Sequence, residues 1–177
     1  MEKRLNLFLV FAVAVIVIVL LGTGEYGWKI FQQDIPFQKE VRQIIGVQDI
    51  ALERSFLSKT RYSIALSGAA DWAKTHQELL AAAEKYEIAE EDISFSDTRG
   101  EKLEGIYNTL NFSLQEGLQR GTFRKMEQEI RAGVEQSGIE GYQLVLNDEY
   151  LYLALNDGGE ELYTVMKRGG VMNEKGN

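Results

Sequence analysis

Cysteine is absent from the 177 residues, and proline and histidine occur once each, as Pro36 and His76. Without cysteine there is no disulfide, no thiolate nucleophile, no thiolate metal ligand and no lipoprotein attachment point. That absence does not fix the compartment, although a disulfide-free exported domain is bacterial rather than eukaryotic in style. Positive charge is also scarce: 19 Lys and Arg stand against 27 Asp and Glu, for a net charge of −8. Lys3 and Arg4 against Glu2 leave +1 on the first four residues and −9 on the rest. Such a domain repels a phosphate backbone, which excludes nucleic acid as a partner. Anionic headgroups repel it too, unless its negative charges point away from them. No internal repeat is visible, and the only low-complexity stretch is the short polar end Asn173 to Asn177.

What the chain does have is one long uncharged stretch, Leu5 to Leu21, whose only polar residue is Asn6. The run continues through Gly22 and Thr23, and the first charge is Glu25. A membrane-crossing helix needs about 20 largely apolar residues to cover about 30 Å of hydrocarbon. A helix also pairs all of its own backbone groups, as lipid demands. Tyr26, Trp28 and Phe31 follow at once, where amphipathic rings sit at the level of the headgroups.

Two other readings compete. Gly22-Thr23-Gly24-Glu25-Tyr26-Gly27 spells the G-x-G-x-x-G of a dinucleotide-binding turn. That turn follows a short strand and opens a helix within a series of alternating strands and helices. The run here is about three times the usual strand of roughly 5–6 residues, Pro36 follows soon after, and no doubly wound series comes behind it. A cleaved export signal has an apolar core of about 7–15 residues and small residues at the cut. Gly22 and Gly24 are suitably small, but the core is long for that purpose and alanine is the more usual cleavage residue. The preferred reading is an uncleaved signal anchor marked by Leu5, Leu21, Tyr26 and Trp28. Basic residues flank it on the N-terminal side, which favours an inside N-terminus and an outward-facing domain.

The expected organisation is a short cytoplasmic tail (1–4), a transmembrane signal anchor (5–24), a juxtamembrane linker (25–36), an extracytoplasmic α+β domain (37–170) and a polar tail (171–177). Within the domain, Phe37 to Ile45 has a short helical pattern ending near Gly46, and Val47 to Leu57 fits either a strand or a helix. Alternation over Arg61 to Ser67 predicts a strand, broken by Gly68. Asp71 to Tyr86 predicts a helix with Trp72, His76, Leu79, Leu80 and Ala83 on one stripe. Ile93 and Phe95 mark a second short strand. Leu103, Ile106, Leu110, Leu114 and Leu118 give the next helix its face. Gly121 interrupts, Thr122 is placed to cap, and Phe123, Met126, Ile130 and Val134 face the last helix, which stops at Gly138. Tyr142 to Leu146, Tyr150 to Leu155 and Leu162 to Met166 form a three-stranded meander, with turns at Asn147-Asp148 and Asn156-Asp157-Gly158-Gly159. The fold class expected is α+β, with helices packed on one face of a mainly antiparallel sheet that ends in this meander.

Chemistry is sparse. His76 with Ser67 or Asp71 would make a base, but no nucleophile motif accompanies it, and a satisfied histidine on an apolar stripe is the plainer reading. Glu87, Glu90, Glu91 and Asp92 lack the ligand spacing and turn glycine of a calcium loop. Asp148 and Asp157 stand at opposite ends of one strand, roughly 30 Å apart at about 3.3 Å per residue, too far to share a metal. Asn111-Phe112-Ser113 is a glycosylation sequon only in a eukaryotic secretory setting, and it falls inside a predicted helix. No catalytic, cofactor or metal residues are assigned, and no cofactor is expected. Tyr150 and Tyr152 share a face of the middle strand, with Tyr142 and Tyr163 on its neighbours; if that face is exposed it is a protein-binding surface, and if helices cover it, core. The expected function is a non-enzymatic, membrane-anchored envelope protein that meets lipid through its N-terminal helix and presents its domain to a protein partner. A small-ligand sensor and an envelope hydrolase are the alternatives.

Overall fold

The computed structural model describes residues 30–55 and 58–168, together with Phe11 and Val13. Leu5, Leu21, Tyr26, Trp28 and the G-x-G-x-x-G stretch lie outside the described residues. Phe11 and Val13 are helical, with 69% and 51% of their surface exposed. No helix among the described residues is long and apolar enough to cross a membrane.

Order begins before the expected start of the domain. A wide helical turn over Ile30–Asp34 runs into α1, Ile35–Val41. Pro36 does not delay the helix because it stands in the first turn, where its missing N–H has no helical acceptor to lose. Phe37 and Val41 are completely buried. Gln33 donates to the carbonyl oxygens of Tyr86 and Glu87, and the Tyr62 hydroxyl donates to the buried Asp34 carboxylate at 2.5 Å. Residues 30–36, expected as a linker, are therefore part of the packed domain.

The segment that fitted either a strand or a helix is β1, Val47–Ser55, paired antiparallel with β2, Ser58–Leu66, with Ile50 opposite Ile64 and Leu52 opposite Tyr62. β2 leads through α2, Trp72–Lys85, to β3, Ile93–Ser96, which pairs parallel to β2. Asp71 caps α2 by accepting from the Lys74 N–H at 3.1 Å. Gly46 precedes β1 with φ +92°, and a Cβ there would stand 2.6 Å from Ala69 Cβ, so both its conformation and its surroundings require glycine.

The second half is an α-hairpin followed by the meander. α3, Glu101–Arg120, and α4, Phe123–Ser137, are joined through Gly121 and end at Gly121 and Gly138, both left-handed. Thr122 holds the capping position but its side chain makes no cap bond; its carbonyl accepts the Met126 N–H instead. β4 (Gly141–Leu146), β5 (Tyr150–Asp157) and β6 (Glu160–Lys167) pair antiparallel in order. Gly158 and Gly159, at φ +58° and +88°, make the two-residue turn of the second hairpin. In the first hairpin the Asn147 side chain accepts from the N–H groups of Glu149 and Tyr150.

The α+β class is as expected, but the architecture differs in two respects. There are two three-stranded sheets, β1-β2-β3 and β4-β5-β6, and β2–β3 is parallel. The meander is also covered on both faces. Tyr150, Tyr152 and Tyr163 join Trp72, Leu79, Ile50, Ile64 and Leu66 in one core, while Leu151, Leu153, Leu155, Leu162 and Met166 join Leu103, Leu110, Leu114, Met126 and Ile130 in another. Each of the large side chains removed from water contributes about 1.5–3 kcal/mol. Apolar residues on both faces of β5 require two covers, and a single helical layer supplies one.

The sheets meet at Asp97, just past β3. Its side chain, 5% exposed, accepts from the Tyr163 N–H on β6 at 2.8 Å and from Arg99 Nε at 2.7 Å. Arg99 also reaches Glu104 on α3 at 3.1 Å and lies 5.9 Å from the Tyr107 ring. Thr98 Oγ1 accepts from the Glu161 N–H at 3.1 Å. Side chains thus occupy the edge of β6 where another strand would pair.

Asp97→Ala is expected to lower unfolding free energy by about 2–3 kcal/mol, because it leaves the Tyr163 N–H without its acceptor and removes the main carboxylate partner of Arg99. Asp148→Ala, on an exposed turn, should stay within about 0.5 kcal/mol. Urea unfolding measures both. The α-hairpin gives a second comparison. A Cβ at Gly117 would meet Met126 Cβ at 2.6 Å, whereas one at Gly133 meets only the Leu110 Cδ2 methyl that closely. Gly117→Ala should therefore destabilise by about 1–3 kcal/mol. Gly133→Ala should be neutral or slightly stabilising, since the methyl can turn aside and helix propensity improves by about 1 kcal/mol.

Candidate functional site

The densest gathering of functional side chains lies where α2 crosses the meander. His76 is 1% exposed, as are Trp72 and Tyr152. Its ring centroid is 5.3 Å from Trp72, 5.6 Å from Phe95, 5.1 Å from Tyr150 and 5.5 Å from Tyr152, all in edge-on arrangements. Such pairs add about 0.5–1.5 kcal/mol each beyond the area they bury. Its polar contact is between Nδ1 and the Tyr152 hydroxyl at 3.3 Å. Burial pushes its pKa down to about 4, and the Glu90 carboxylate opposes this only weakly. An imidazole so placed is neutral, walled in by aromatic rings and a weak base. Asp71, considered as its partner, is occupied as the cap of α2, and Ser67 is exposed just past the end of β2 while His76 is buried.

Three of the four tyrosines read as a possible binding surface are inside the protein. Tyr150, Tyr152 and Tyr163 are exposed by 6% or less, which is the core alternative. The Tyr150 hydroxyl donates to Glu90, with oxygens at 3.1 and 3.2 Å, and the Tyr163 hydroxyl accepts from the Ala69 N–H at 2.9 Å. Burial first, and the nearby carboxylates Glu90 and Glu161 after it, push both phenols up to about 12. Burial also raises Tyr152. These are anchored, neutral rings. Tyr142 does not share their face: it stands opposite Leu155, itself opposite Leu162, and packs on the leucine side. A strand direction reversed at each turn moved it there, and alternation within one strand does not reveal which residues of the next strand align.

The remaining candidates stay apart. Asp148 and Asp157 flank β5, and Asp157 pairs with Lys102. Glu90, Glu91 and Asp92 make a single tight helical turn ahead of β3, with Glu90 bound to Tyr150. Among the described residues no three His, Asp or Glu side chains are grouped to hold a metal. Asn111 and Ser113 are within α3, beside Phe112, which is 84% exposed. A depression of about 430 Å³ is lined by Asn108, Asn111, Phe112, Gln115, Glu116, Gln119 and Arg120, all on that helix. No protein-family model, curated protein or solved structure matches the chain.

Sequence reasoning passed over Asp34, Asp97 and Arg99, the polar residues that tie the domain together. A buried aspartate bound to a tyrosine far along the chain has no periodicity to betray it. The only signal for Asp97 is its position, directly after an alternating run.

Because folding holds His76 neutral, the unfolded chain takes up its proton first. Stability from this group is complete above about pH 6.5 and is lost as pH falls towards about 4. The full loss is about 3 kcal/mol. His76→Phe should flatten the fall in urea-unfolding free energy over that interval, whatever its effect at neutral pH.

Proposed function

We propose that this is a single-pass membrane protein of the envelope, non-enzymatic, which holds an acidic α+β domain against the membrane and offers it to a protein partner. The observation that carries the reading is the junction. Nine residues after the uncharged run from Leu5 to Leu21 begins a helical segment whose Asp34, Phe37 and Val41 are fixed in the domain core. A domain joined in this way takes its position and orientation from the segment before it. The burial of His76 supports a non-enzymatic role, since a base of lowered pKa enclosed by four rings has no path to a substrate. The N-terminal basic residues favour a cytoplasmic N-terminus with the domain outside.

Protease treatment of intact, wall-stripped cells carrying a C-terminal tag tests the topology. Digestion of a membrane-bound domain is expected. Protection until lysis would put the domain in the cytoplasm, and recovery of the tag in the medium would mean that the apolar run is removed. In-cell crosslinking from the exposed surface is expected to capture a protein partner, and the absence of any adduct would count against the presenting role.

A further inference from the structure

The face of the first helical segment that turns away from the core has a composition of its own. Phe31, Ile35 and Lys39 recur every four residues, Arg42 follows, and all four are exposed, Phe31 by 72% and Ile35 by 49%. The opposite face cannot be exchanged for this one, because Phe37 and Val41 are wholly buried and Asp34 is bound to Tyr62. Of the two carboxylates of the segment, Asp34 is buried against Tyr62, and the half-exposed Glu40 is engaged by Lys85 at 2.6 Å and Tyr86 at 2.8 Å. Both cations turn outward, with Arg42 3.2 Å from an exposed Asp49. The result is an apolar and basic stripe on a domain that is otherwise strongly acidic.

We propose that this stripe rests on the headgroup layer of the bilayer, with Phe31 and Ile35 dipping towards the acyl boundary and Lys39 and Arg42 beside lipid phosphates. The proposal builds on the membrane-anchored reading given above. Two observations choose lipid as the occupant. The first is reach. Leu21 ends the apolar run and Phe31 is ten residues later, at most about 35 Å along an extended chain and about 15 Å along a helix. A segment tethered within that distance of an anchor can reach the interface. The second is charge. An anionic surface repels an acidic domain, and this stripe sets two exposed cations, Lys39 and the Asp49-paired Arg42, beside two exposed apolar side chains, with Asp34 buried behind them. Amphipathic segments that lie in the interface combine the same two features, a few large apolar side chains and flanking Lys or Arg. The domain would then stand on the membrane in one orientation.

The absence of cysteine makes the test direct. Val13→Cys, Ile35→Cys and Phe112→Cys are each spin-labelled in the full-length protein, reconstituted into phosphatidylcholine–phosphatidylglycerol vesicles, and compared for exposure to oxygen and to a water-soluble nickel chelate. The label at 13 is expected to be deep in lipid, the one at 112 in water, and the one at 35 shielded from nickel and open to oxygen. A label at 35 as exposed to nickel as that at 112, with 13 still in lipid, overturns the stripe proposal and leaves the anchor standing. A label at 13 in water overturns both. Spin–spin broadening at 35 that disappears on dilution with unlabelled chain assigns the stripe to a second copy, and also overturns it.

Discussion

The contact between the Asp97 carboxylate and the Tyr163 backbone N–H is one of the side-chain bonds that register two separate sheets across their shared core. β1-β2-β3 and β4-β5-β6 share no ladder of backbone hydrogen bonds, so side chains must align them. Asp97 binds β6 and, through Arg99, the start of α3. With that alignment set, Trp72 donates from its indole to the Thr164 carbonyl, Tyr163 receives the Ala69 N–H, and the Gly68 N–H reaches Glu161. Every one of these bonds crosses between the two halves. A charged acceptor buried at the centre of such a set costs desolvation, and the cost is offset only because several donors converge on it.

How much of this could be read from the chain depended on the range of the interaction. Elements specified by their own residues were legible: α3 from Leu103, Leu110 and Leu114, its stop at Gly121, the start of α2 near Asp71, the meander with its Asp157-Gly158-Gly159 turn. Each rests on spacing of 2, 3 or 4 residues or on a local turn preference. Relations between elements were not. Tyr142 was assigned to the wrong face because register across a turn decides it. The parallel pairing of β3 with β2 depends on where α2 delivers the chain. The two-sided burial of β5 was visible as apolar residues on both faces, but what covers each side was not. For the proposed site the limit was of the same kind. Phe31 stood out as an aromatic after an apolar run, whereas Lys39 and Arg42 joined it only when α1 fixed which residues face outward.

The aromatic centre around His76 has the makeup of an active site and the physical state of a core. Each tyrosine hydroxyl has a polar partner, and the imidazole is kept neutral by enclosure. Tyrosine suits such a place because it fills volume as phenylalanine does and adds one directional bond, which fixes how α2 lies across the strands. The polar atoms in this region serve to position elements. The outward-facing chemistry is found on the helical segment next to the apolar run.

The route of the chain through the first core has a consequence for biosynthesis. That core begins with Phe37 and closes with Tyr163 and Val165, close to the end of the described chain. Its early strands, β1 to β3, have no tyrosine layer to pack on until β5 and β6 have emerged. The second core, by contrast, is built from the α-hairpin and the leucine face of the meander, which are neighbours in sequence. A nascent chain therefore cannot finish its N-terminal half first, in spite of synthesising it first. Until β5 and β6 have emerged, the segment adjoining the apolar run leads to an incomplete layer.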